Sequence, residues 1–474
     1  MMRFSYNNAV ESTKVFSVTK KFNNDLSTPM SAYLKLNEPD AFFLESVEKG
    51  ESIGRYSMIG LDPLIKLQGY DDYMAVIQQG EQTMIDGDPL KNLNLFYKGM
   101  SQKQVGETPV KNGFFGYFSW EVIGAIESLK VQRKSDQLYE FQIPKKLLVF
   151  DHAQQAIYIT ITSFENIDGE REMNELLQKI ELPLPGGIHA SISQPSQINW
   201  DDIETNWSKE GFEEGVERIQ HHIKEGDIFQ GVISQKFKVE SKKDSLSVYR
   251  ALRHINPSPY MFYFNYGDYK IIGSSPEILV KATGGVATVR PIAGTRKRTY
   301  ENEAAIIDDL KNDEKEVAEH IMLVDLGRND LGRVCQFETV KISNLMSIEQ
   351  YSHVIHMVTN VDGQLKKGMT PIDLFKATFP AGTVSGAPKI RAIEIINDVE
   401  PEPRHIYSGA IGYFNLDGDM DLCIAIRSII ADDTGYTVQA GAGVVNDSIP
   451  ENEYNETRNK AQGVLMACLD EVSK

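Results

Sequence analysis

The distribution of apolar residues along this chain constrains its fold more than any other feature of the sequence. Short segments with alternating apolar residues, such as 146–150 and 156–161, lie between turn-forming residues and are typical of β-strands. Helical spacing is interspersed among them, as in Phe212, Val216 and Ile219. Because hairpins and helices are mixed without a regular strand–helix–strand alternation, the pattern favours an α+β fold over a doubly wound parallel sheet.

One segment predicts a boundary between two regions. The stretch 182–187, continued by 194–197, is rich in Pro, Gly, Ser and Gln, which is typical of linkers. No repeat of 20–50 residues is visible on either side. We therefore predict an N-terminal region of residues 1–190 and a C-terminal region of residues 191–474.

The net charge of the chain argues against some classes of binding partner. The chain has 67 acidic and 49 basic residues, a net charge of -18, so its surface should repel nucleic acid and anionic lipid. The N-terminal residues lack the apolar core of a signal peptide, no apolar run is long enough to span a bilayer, and the three cysteines lack metal-binding spacing. We predict a soluble, cytoplasmic protein without nucleic-acid or membrane partners, in which any anionic substrate needs a local cation or metal ion.

Two pairs of glutamates stand out among the acids. Glu316 with Glu319, and Glu453 with Glu456, are each three residues apart in segments with helical patterning, so each pair shares a helix face. Two such pairs together could hold Mg²⁺, which prefers carboxylate oxygens. From spacing alone, solvated helix faces are the favoured interpretation of both pairs, since this spacing is common on protein surfaces.

The start of the second of these helices has its own signal. Ser448 and Glu451 have the spacing of a capping box, and Pro450 suits a first helical turn. Ala461 and Val464 give the segment a buried stripe. The sequence predicts a helix that begins near Pro450 and is capped by Ser448.

Other segments are candidates for anion binding or proton transfer. The Gly- and hydroxyl-rich turn 379–389 precedes a helical pattern, and 440–443 is glycine-rich, although neither forms a complete nucleotide-binding motif. Arg427 ends an apolar strand, where it requires a carboxylate from the protein or from a ligand. His356, in an apolar run, is either a structural residue or a proton carrier.

Taken together and in order, these segments resemble the chorismate-utilising enzymes, and most closely the large subunits (component I) of anthranilate synthases. The resemblance extends over roughly residues 200–470, in the order of the family's motifs. The matching segments are 291–296, 316–334, 351–363, 379–391, 408–413, 421–427 and 439–460.

Two positions separate the branches of this family. Isochorismate and salicylate synthases have a lysine base where this chain has Gln230, which cannot activate water at neutral pH. Aminodeoxychorismate synthases have a nucleophilic lysine where this chain has Ala293. Both positions leave ammonia as the attacking group. Two alternatives stay open: an aminodeoxychorismate synthase component I, and a non-catalytic protein that binds chorismate or tryptophan.

The resemblance also implies a fold and a site. It implies large antiparallel β-sheets packed as a sandwich with flanking helices, and an N-terminal regulatory region intertwined with the C-terminal catalytic region. It implies Mg²⁺ held by Glu316, Glu319, Glu453 and Glu456. Glu277 matches the family's general acid, and His356 would assist the loss of pyruvate. The residues implied in catalysis are Gln230, Glu277, Thr295 and His356. The residues implied in chorismate binding are Ala293, Thr383, Tyr413, Arg427, Ala440, Gly441, Ala442, Gly443 and Lys460.

Regulation and partnership are implied as well. The resemblance implies a tryptophan feedback site made of Glu45, Ser46, Arg55, Tyr56, Ser57, Asn256, Pro257, Ser258, Pro259, Tyr260 and Met261. No cysteine lies in a glutaminase context, so ammonia from glutamine would require a separate glutamine amidotransferase subunit, as in a heterotetramer committed to tryptophan biosynthesis. The segment 116–121 departs from the family pattern, in which Asp and Arg are common after the Tyr.

Overall fold

The computed structural model describes residues 3–4, 13–47, 54–127, 129, 137–184, 198–299, 302–350 and 354–469, with only the backbone described for Arg3, Phe4, Thr295, Lys297 and Val354. The predicted boundary between residues 190 and 191 lies outside the described residues, as do the first three residues of the 351–363 motif.

Twenty-four strands are assigned within the described ranges. They are β1 (Arg3–Phe4), β2 (Lys14–Asn23), β3 (Phe42–Glu45), β4 (Tyr56–Gly69), β5 (Tyr73–Gln78), β6 (Glu81–Asp86), β7 (Ser101–Val105), β8 (Gly113–Phe118), β9 (Tyr139–Asp151), β10 (Ala156–Ser163), β11 (Glu204–Thr205), β12 (Gln230–Val239), β13 (Tyr260–Asn265), β14 (Lys270–Ser275), β15 (Ile278–Thr283), β16 (Val286–Val289), β17 (Ile292–Lys297), β18 (Lys341–Gln350), β19 (Val354–Gln364), β20 (Gly386–Ala387), β21 (Ala410–Asn415), β22 (Met420–Ile424), β23 (Ser428–Asp432) and β24 (Gly435–Val444).

The helices lie between strands along the chain, except α11, which follows the last strand. They are α1 (Pro29–Leu36), α2 (Pro89–Gly99), α3 (Ile123–Ile126), α4 (Glu170–Glu181), α5 (Lys209–Lys224), α6 (Ser245–Ile255), α7 (Glu303–Asn312), α8 (Glu314–Val334), α9 (Pro371–Thr378), α10 (Lys389–Val399) and α11 (Pro450–Cys468). None of the helices in the described ranges is both long and apolar enough to cross a membrane.

Two long strands organise the sheet. β4 and β9 pair antiparallel along their length, with a register shift at Pro63–Ile65 that lets them bend. One branch runs from them through β3, β13, β14, β23 and β24 to β12, and a second runs through β8, β21, β22, β15 and β16 to β19. The long strands therefore belong to both branches.

The two branches face each other as a β-sandwich. Phe42 of the first branch stacks on Phe115 of the second with ring centroids 4.6 Å apart, inside a buried apolar layer. Helices α1, α4, α6 and α11 cover the outer face of the first branch, and α2, α8 and α9 cover that of the second. This architecture confirms the predicted sandwich of antiparallel sheets with flanking helices.

The regions on either side of residues 185–197 share these sheets. β3, near the N-terminus, pairs with β13, and β8 pairs with β21. Neither partner could bury its apolar face without the other, because the shared core contains side chains from both parts of the chain. The predicted intertwining of the two regions is therefore confirmed.

The predicted cap of α11 is wrong. The N-cap residue is Ile449, which makes no side-chain capping bond, and Pro450 is the first helical residue. The hydroxyl of Ser448 instead accepts a hydrogen bond from the Val445 amide at 3.0 Å. Since a hydroxyl engaged in the preceding turn cannot reach the first amides of the helix, the capping box does not form.

Candidate active site

A carboxyl group, Glu277, lies between β14 and β15 at the edge of the second branch. Thr383 donates a hydrogen bond to its Oε1 at 2.9 Å, and the positive fields of Lys460 and Arg427 reach it. Burial outweighs these contacts and raises the pKa of Glu277 to about 7. A carboxyl group with this pKa is protonated for much of the time at neutral pH, so it can deliver a proton.

Gln230, the first residue of β12, brings several predicted site residues together. Its amide group hydrogen-bonds to the carboxylate of Glu319 on α8. Its Nε2 atom also lies 2.9 Å from where a side chain at Gly443 would begin. A side chain at 443 would therefore displace this amide from its present position.

The two glutamate pairs face a common set of cations. The pKa of Glu319 is raised by burial and then by the charge of Glu316, and the fields of Lys315 and Lys460 oppose the rise. The pKa of Glu453 is raised in the same way by burial and then by Glu456, against the same two lysines. The N-terminal halves of α8 and α11 are therefore close enough for the lysine of each helix to act on an acid of the other.

The carboxylate oxygens and the negative charge of these four glutamates suit Mg²⁺. Carboxylates whose pKa values are raised by like charge are short of positive charge, and a hard divalent ion that takes oxygen ligands would relieve the repulsion. Two of the four are engaged by the protein: Arg296 binds Glu316 at 2.7 Å, and Lys460 binds Glu456 at 2.7 Å. Within the described ranges, no three Asp, Glu, His or Cys side chains converge closely enough to hold a metal ion.

A bulge in β17 places the next group. The register of β17 against β19 shifts between Ala293 and Thr295, at Gly294, whose φ of 83° favours glycine. A side chain at Gly294 would begin 2.8 Å from Leu310, and the Glu316 carboxylate lies 3.4 Å from the same point. Across the ladder, Thr295 pairs with His356, whose pKa is lowered mainly by burial. Burial thus keeps the imidazole neutral.

The glycine-rich strand β24 offers amides at one edge. Gly441 and Gly443 lie opposite Ser234 and Val232 of β12, but those two amides donate elsewhere, to Glu400 and to the Ser385 carbonyl. Antiparallel alternation then directs the amides of the two glycines away from β12. The carbonyl of Gly441 accepts a hydrogen bond from Lys460 at 2.9 Å on that edge.

The neighbouring residues Ala440 and Ala442 differ in this respect. They lie opposite Gln235 and Ile233, at the ladder positions whose backbone groups bond across to β12. Of the four residues predicted to bind a carboxylate through their amides, the fold therefore leaves only the two glycines available on the open edge.

The structure separates Tyr413 from the other predicted chorismate ligands. Its ring stacks on Phe115 with centroids 5.3 Å apart, in the interior of the sandwich. The hydroxyl that lies beside the glycine edge belongs to Tyr407, 2.8 Å from where a side chain at Gly441 would begin. Sequence reasoning missed Tyr407, and the signal that could have found it is its position in the turn before β21, directly before the matched segment 408–413.

Glu45 and Ser46, at the end of β3, start a second cluster of predicted residues. Glu45 is buried and accepts hydrogen bonds from Tyr249 at 2.8 Å and from Arg253 at 2.6 Å. The hydroxyl of Ser46 is buried with no hydrogen-bond partner among the described residues. Such a group costs free energy unless something binds to it, so it marks this cluster as a candidate ligand site.

Three further residues of this cluster lie on or beside β4. Arg55 forms a paired salt bridge with Asp151, through contacts of 2.9 and 3.2 Å. Its guanidinium also lies over the Tyr56 ring at 5.1 Å. Ser57 is buried and its hydroxyl is within 2.8 Å of the His152 imidazole. Each of these side chains therefore has a partner within the protein.

The segment 256–261 completes this cluster from the C-terminal region. Met261 pairs with Glu45 across β13 and β3, and the Val47 amide donates to the Ser258 carbonyl between the flanking prolines, Pro257 and Pro259. Tyr260 donates a hydrogen bond to Asp421 at 2.9 Å, and its pKa is raised mainly by burial and also by the Tyr413 ring nearby. Tyr413 therefore belongs to this cluster rather than to the acidic site.

Asn256 connects the two sites. Arg427, a predicted chorismate ligand, donates a hydrogen bond from Nη1 to the Asn256 side-chain carbonyl at 3.1 Å. Asn256 in turn donates to Ser274 at 2.8 Å. The two clusters are thus joined by a short chain of side-chain hydrogen bonds.

Comparison with known sequences agrees with this geometry. Residues 40–466 match the chorismate binding enzyme family. Relatives include anthranilate synthase component 1 of Acetivibrio thermocellus, 42% identical over 96% of this chain and 95% of that protein. The component 1 of Synechocystis sp. is 43% identical over 94% of each chain.

Comparison with solved structures also finds chorismate-utilising enzymes. Anthranilate synthase component I from Streptococcus pneumoniae TIGR4 superposes with a TM-score of 0.78 at 35% identity, covering 93% of this chain and 98% of that one. The menaquinone-specific isochorismate synthase MenF of Escherichia coli has a TM-score of 0.72 at 18% identity, covering 97% and 96%, and shares the fold. By this coverage and identity, the chain belongs to the family of chorismate binding enzymes, and its relatives there include anthranilate synthase component 1 proteins.

Proposed function

We propose that this chain converts chorismate and ammonia into anthranilate, pyruvate and water. The observation that carries the proposal is Glu277, a partly buried carboxyl group with a pKa raised to about 7 beside two cationic side chains. Departure of the ring hydroxyl of chorismate requires a proton, and chorismate is a dianion that requires cations. A protonated acid among cations satisfies both requirements at one place.

Groups along the glycine edge would hold the enolpyruvyl carboxylate. Arg427 can bind a carboxylate through two N–H groups, and Gly441 and Gly443 direct their amides to the same open edge. The Tyr407 hydroxyl lies beside Gly441 and would add a further hydrogen bond. These contacts would fix the ring relative to Glu277, so that its proton reaches the leaving oxygen.

Addition of ammonia and loss of pyruvate would use two other groups. Gln230 has no basic nitrogen, so it can accept and orient a nitrogen nucleophile but cannot activate water. His356, kept neutral by burial, could take up the proton that is released as the ring becomes aromatic. Ala293 provides no competing nucleophile at the base of the site.

We infer that Mg²⁺ takes part, held by Glu316, Glu319, Glu453 and Glu456. When bound, the ion would supply positive charge for the ring carboxylate. The protein side of this site consists of two opposed helix ends whose acids repel one another, and Lys460 and Lys315 partly offset that repulsion.

Ammonia would come from a partner. We propose that a glutamine amidotransferase subunit supplies it in the assembled enzyme, because all three cysteines, Cys335, Cys423 and Cys468, are buried. A buried thiol with a pKa raised by burial, as at all three positions, is unsuited to attack glutamine. The chain alone should therefore use free ammonium and leave glutamine unchanged.

We further propose that tryptophan inhibits the enzyme at the second cluster. The support is the Ser46 hydroxyl beside β3, which has no hydrogen-bond partner in the described part of the chain, and the hydrogen bond from Arg427 to Asn256 that joins this cluster to the glycine edge. A ligand that moves Asn256 would disturb Arg427 and weaken chorismate binding. Ser46→Ala or Met261→Thr should weaken tryptophan inhibition with little change in turnover.

One assay tests the central proposal. Purified chain is incubated with chorismate, Mg²⁺ and ammonium, and the product is identified by fluorescence and mass, with and without tryptophan. Anthranilate with pyruvate is the expected outcome. Aminodeoxychorismate would assign the chain to the other branch of the family, and unchanged chorismate would indicate a binding protein.

A further inference from the structure

A buried histidine on α8, His320, has no part in the chemistry proposed above. Its side chain is 0% exposed, although it directly follows Glu319 and lies one helical turn after Glu316. Residues at these spacings occupy neighbouring positions around a helix, so a contact that holds His320 also sets the rotation of both acids about the axis of α8. The partners of the imidazole therefore bear on where the two acids point.

One partner of this imidazole is Thr359 on β19, which is equally buried. The Nε2 atom of His320 lies 2.6 Å from the Thr359 hydroxyl oxygen, and that oxygen also accepts a hydrogen bond from the Met346 amide at 2.9 Å. Among the described residues, Nε2 is the one acceptor that the hydroxyl proton reaches. Thr359 therefore donates to Nε2, and this ring nitrogen is unprotonated.

The second partner is the backbone of Ala293 on β17. Burial lowers the pKa of His320, and a hydrogen bond with the Ala293 backbone acts against this lowering. A backbone group that favours a protonated ring is a carbonyl, which accepts from an N–H group. Because Nε2 is unprotonated, the donor to this carbonyl is Nδ1. His320 is thus a neutral imidazole, and both of its nitrogens are used within the protein.

The carbonyl that His320 contacts belongs to the bulge of β17. Ala293 directly precedes Gly294, where the register shifts and φ is 83°. A side chain at Gly294 would begin 3.4 Å from the Glu316 carboxylate, and the Gly294 backbone hydrogen-bonds to His356. Two successive residues of the bulge therefore each contact one imidazole, that of His320 on α8 and that of His356 on β19.

Apolar packing alone would not fix this arrangement. Leu310, Ile355 and Met357 form a buried cluster between the helices and the sheet, with Val317 of α8 packed against it. Such contacts hold α8 close to β19, but they are not directional, so they leave its rotation free to adjust. The hydrogen bonds of a buried imidazole have preferred distances and angles, so they fix both the position and the rotation of the helix.

We propose that His320 is a positioning residue: as a neutral imidazole protonated at Nδ1, it joins α8 to the β17 bulge and so fixes Glu319 and His356 relative to each other. The inference rests on the proposed function for the roles of those two residues, whereas the tautomer follows from the contacts of His320 alone. Glu319 would hold Mg²⁺ and His356 would serve the loss of pyruvate. One bound substrate must meet both groups, so their relative position matters for the rate.

Nitrogen NMR of protein labelled with ¹⁵N at histidine tests the tautomer without substrate or metal. The signals of His320 are those that disappear in His320→Gln. Between about pH 6 and 8, Nδ1 should show the shift of a protonated ring nitrogen and Nε2 that of an unprotonated one. The opposite tautomer, or a ring protonated at both nitrogens throughout this range, would overturn the proposal.

The kinetic test compares pyruvate release with chorismate consumption. His320→Leu removes both hydrogen bonds, so anthranilate formation should fall about 10- to 100-fold. An aminated intermediate that retains its enolpyruvyl group should accumulate, because His356 is displaced. His320→Gln, whose amide has a donor and an acceptor, should recover part of the loss. His221→Leu, the same change at an exposed position of α5, is the control. If pyruvate still equals the chorismate consumed in His320→Leu and only Tm is reduced, His320 merely packs the core and the proposal fails.

A second variant and the NMR result keep this inference distinct from misfolding and from the proposed function. Thr359→Val nearly keeps the shape and removes the hydroxyl, so it should cause the same accumulation to a smaller extent even if His320→Leu does not fold. A chain that makes no anthranilate but shows the expected tautomer would refute the proposed function and leave the link between His320 and the bulge standing. The opposite tautomer in a chain that makes anthranilate would refute only the positioning role.

Discussion

Replacing Glu277 by Gln should make the protein more stable and the enzyme much slower. The shift of its pKa from an ordinary value near 4.5 to about 7 means that burial disfavours the charged form. Each pKa unit corresponds to about 1.36 kcal/mol, so the ionised side chain costs the folded state about 3 kcal/mol. Glutamine has nearly the same shape, carries no charge and can still bond to Thr383.

The sign of the pH dependence follows from this shift. Because the folded-state pKa is the higher one, the folded protein binds more protons than the unfolded chain between about pH 4.5 and 7. The stability that protonation of Glu277 contributes is complete below about pH 4.5 and is lost as the pH rises through 7. Wild type and Glu277→Gln should therefore unfold alike at the lowest pH, and at pH 8 the variant should be more stable by up to about 3 kcal/mol.

Activity should change in the opposite direction. A positioned general acid contributes about 10²- to 10⁴-fold, so kcat of Glu277→Gln should fall by that factor. The wild-type kcat should decline above about pH 7, and the variant should lack that decline. Urea unfolding at several pH values and a pH–rate profile measure both effects. A stability difference that is independent of pH, or a loss of kcat below tenfold, would refute the assignment of Glu277 as a buried acid.

Three further outcomes are expected. Tyr407→Phe should raise the KM for chorismate about tenfold through one lost hydrogen bond, whereas Tyr413→Phe should leave it within twofold; the reverse order would return Tyr413 to the substrate site. Glu319→Gln should reduce turnover by at least about 100-fold and weaken the Mg²⁺ dependence measured by titration after chelation, with unchanged circular dichroism; retained turnover would remove Glu319 from the metal site. Ser46→Ala should raise the tryptophan concentration for half-inhibition about tenfold without lowering Tm, because the hydroxyl has no described partner to lose; unchanged inhibition would move the effector elsewhere.

Local chemistry made part of this site predictable from the sequence. Residues three apart on a helix share a face whatever the fold, so Glu316 with Glu319 and Glu453 with Glu456 were predicted to lie side by side, and α8 and α11 present them so. Strand periodicity likewise indicated antiparallel sheets. The order of the motifs indicated the family, because short ordered motifs record which residue types the chemistry requires.

Tertiary contacts decided the rest. A strand's two faces look alike in a sequence, so only the packing of β21 against Phe115 showed that Tyr413 faces the interior, while Tyr407 lies at the glycine edge. The hydrogen-bonding direction of an amide depends on which strand lies on either side, so the sequence could not separate Gly441 from Ala440. The Ser448 cap failed because the hydroxyl bonds to a turn that the sequence did not reveal.

Electrostatics depended most on the three-dimensional structure. Residue type and spacing did not separate Glu277 from the other acids, and only its match to the family's motif singled it out. Its pKa is raised because residues distant in sequence remove water from around it, and burial is a property of the packed chain alone. The sequence therefore determined which residue types are present and which are neighbours on one helix or strand. The tertiary structure decided which side chains are protonated, which have partners within the protein, and which backbone amides remain accessible to a ligand.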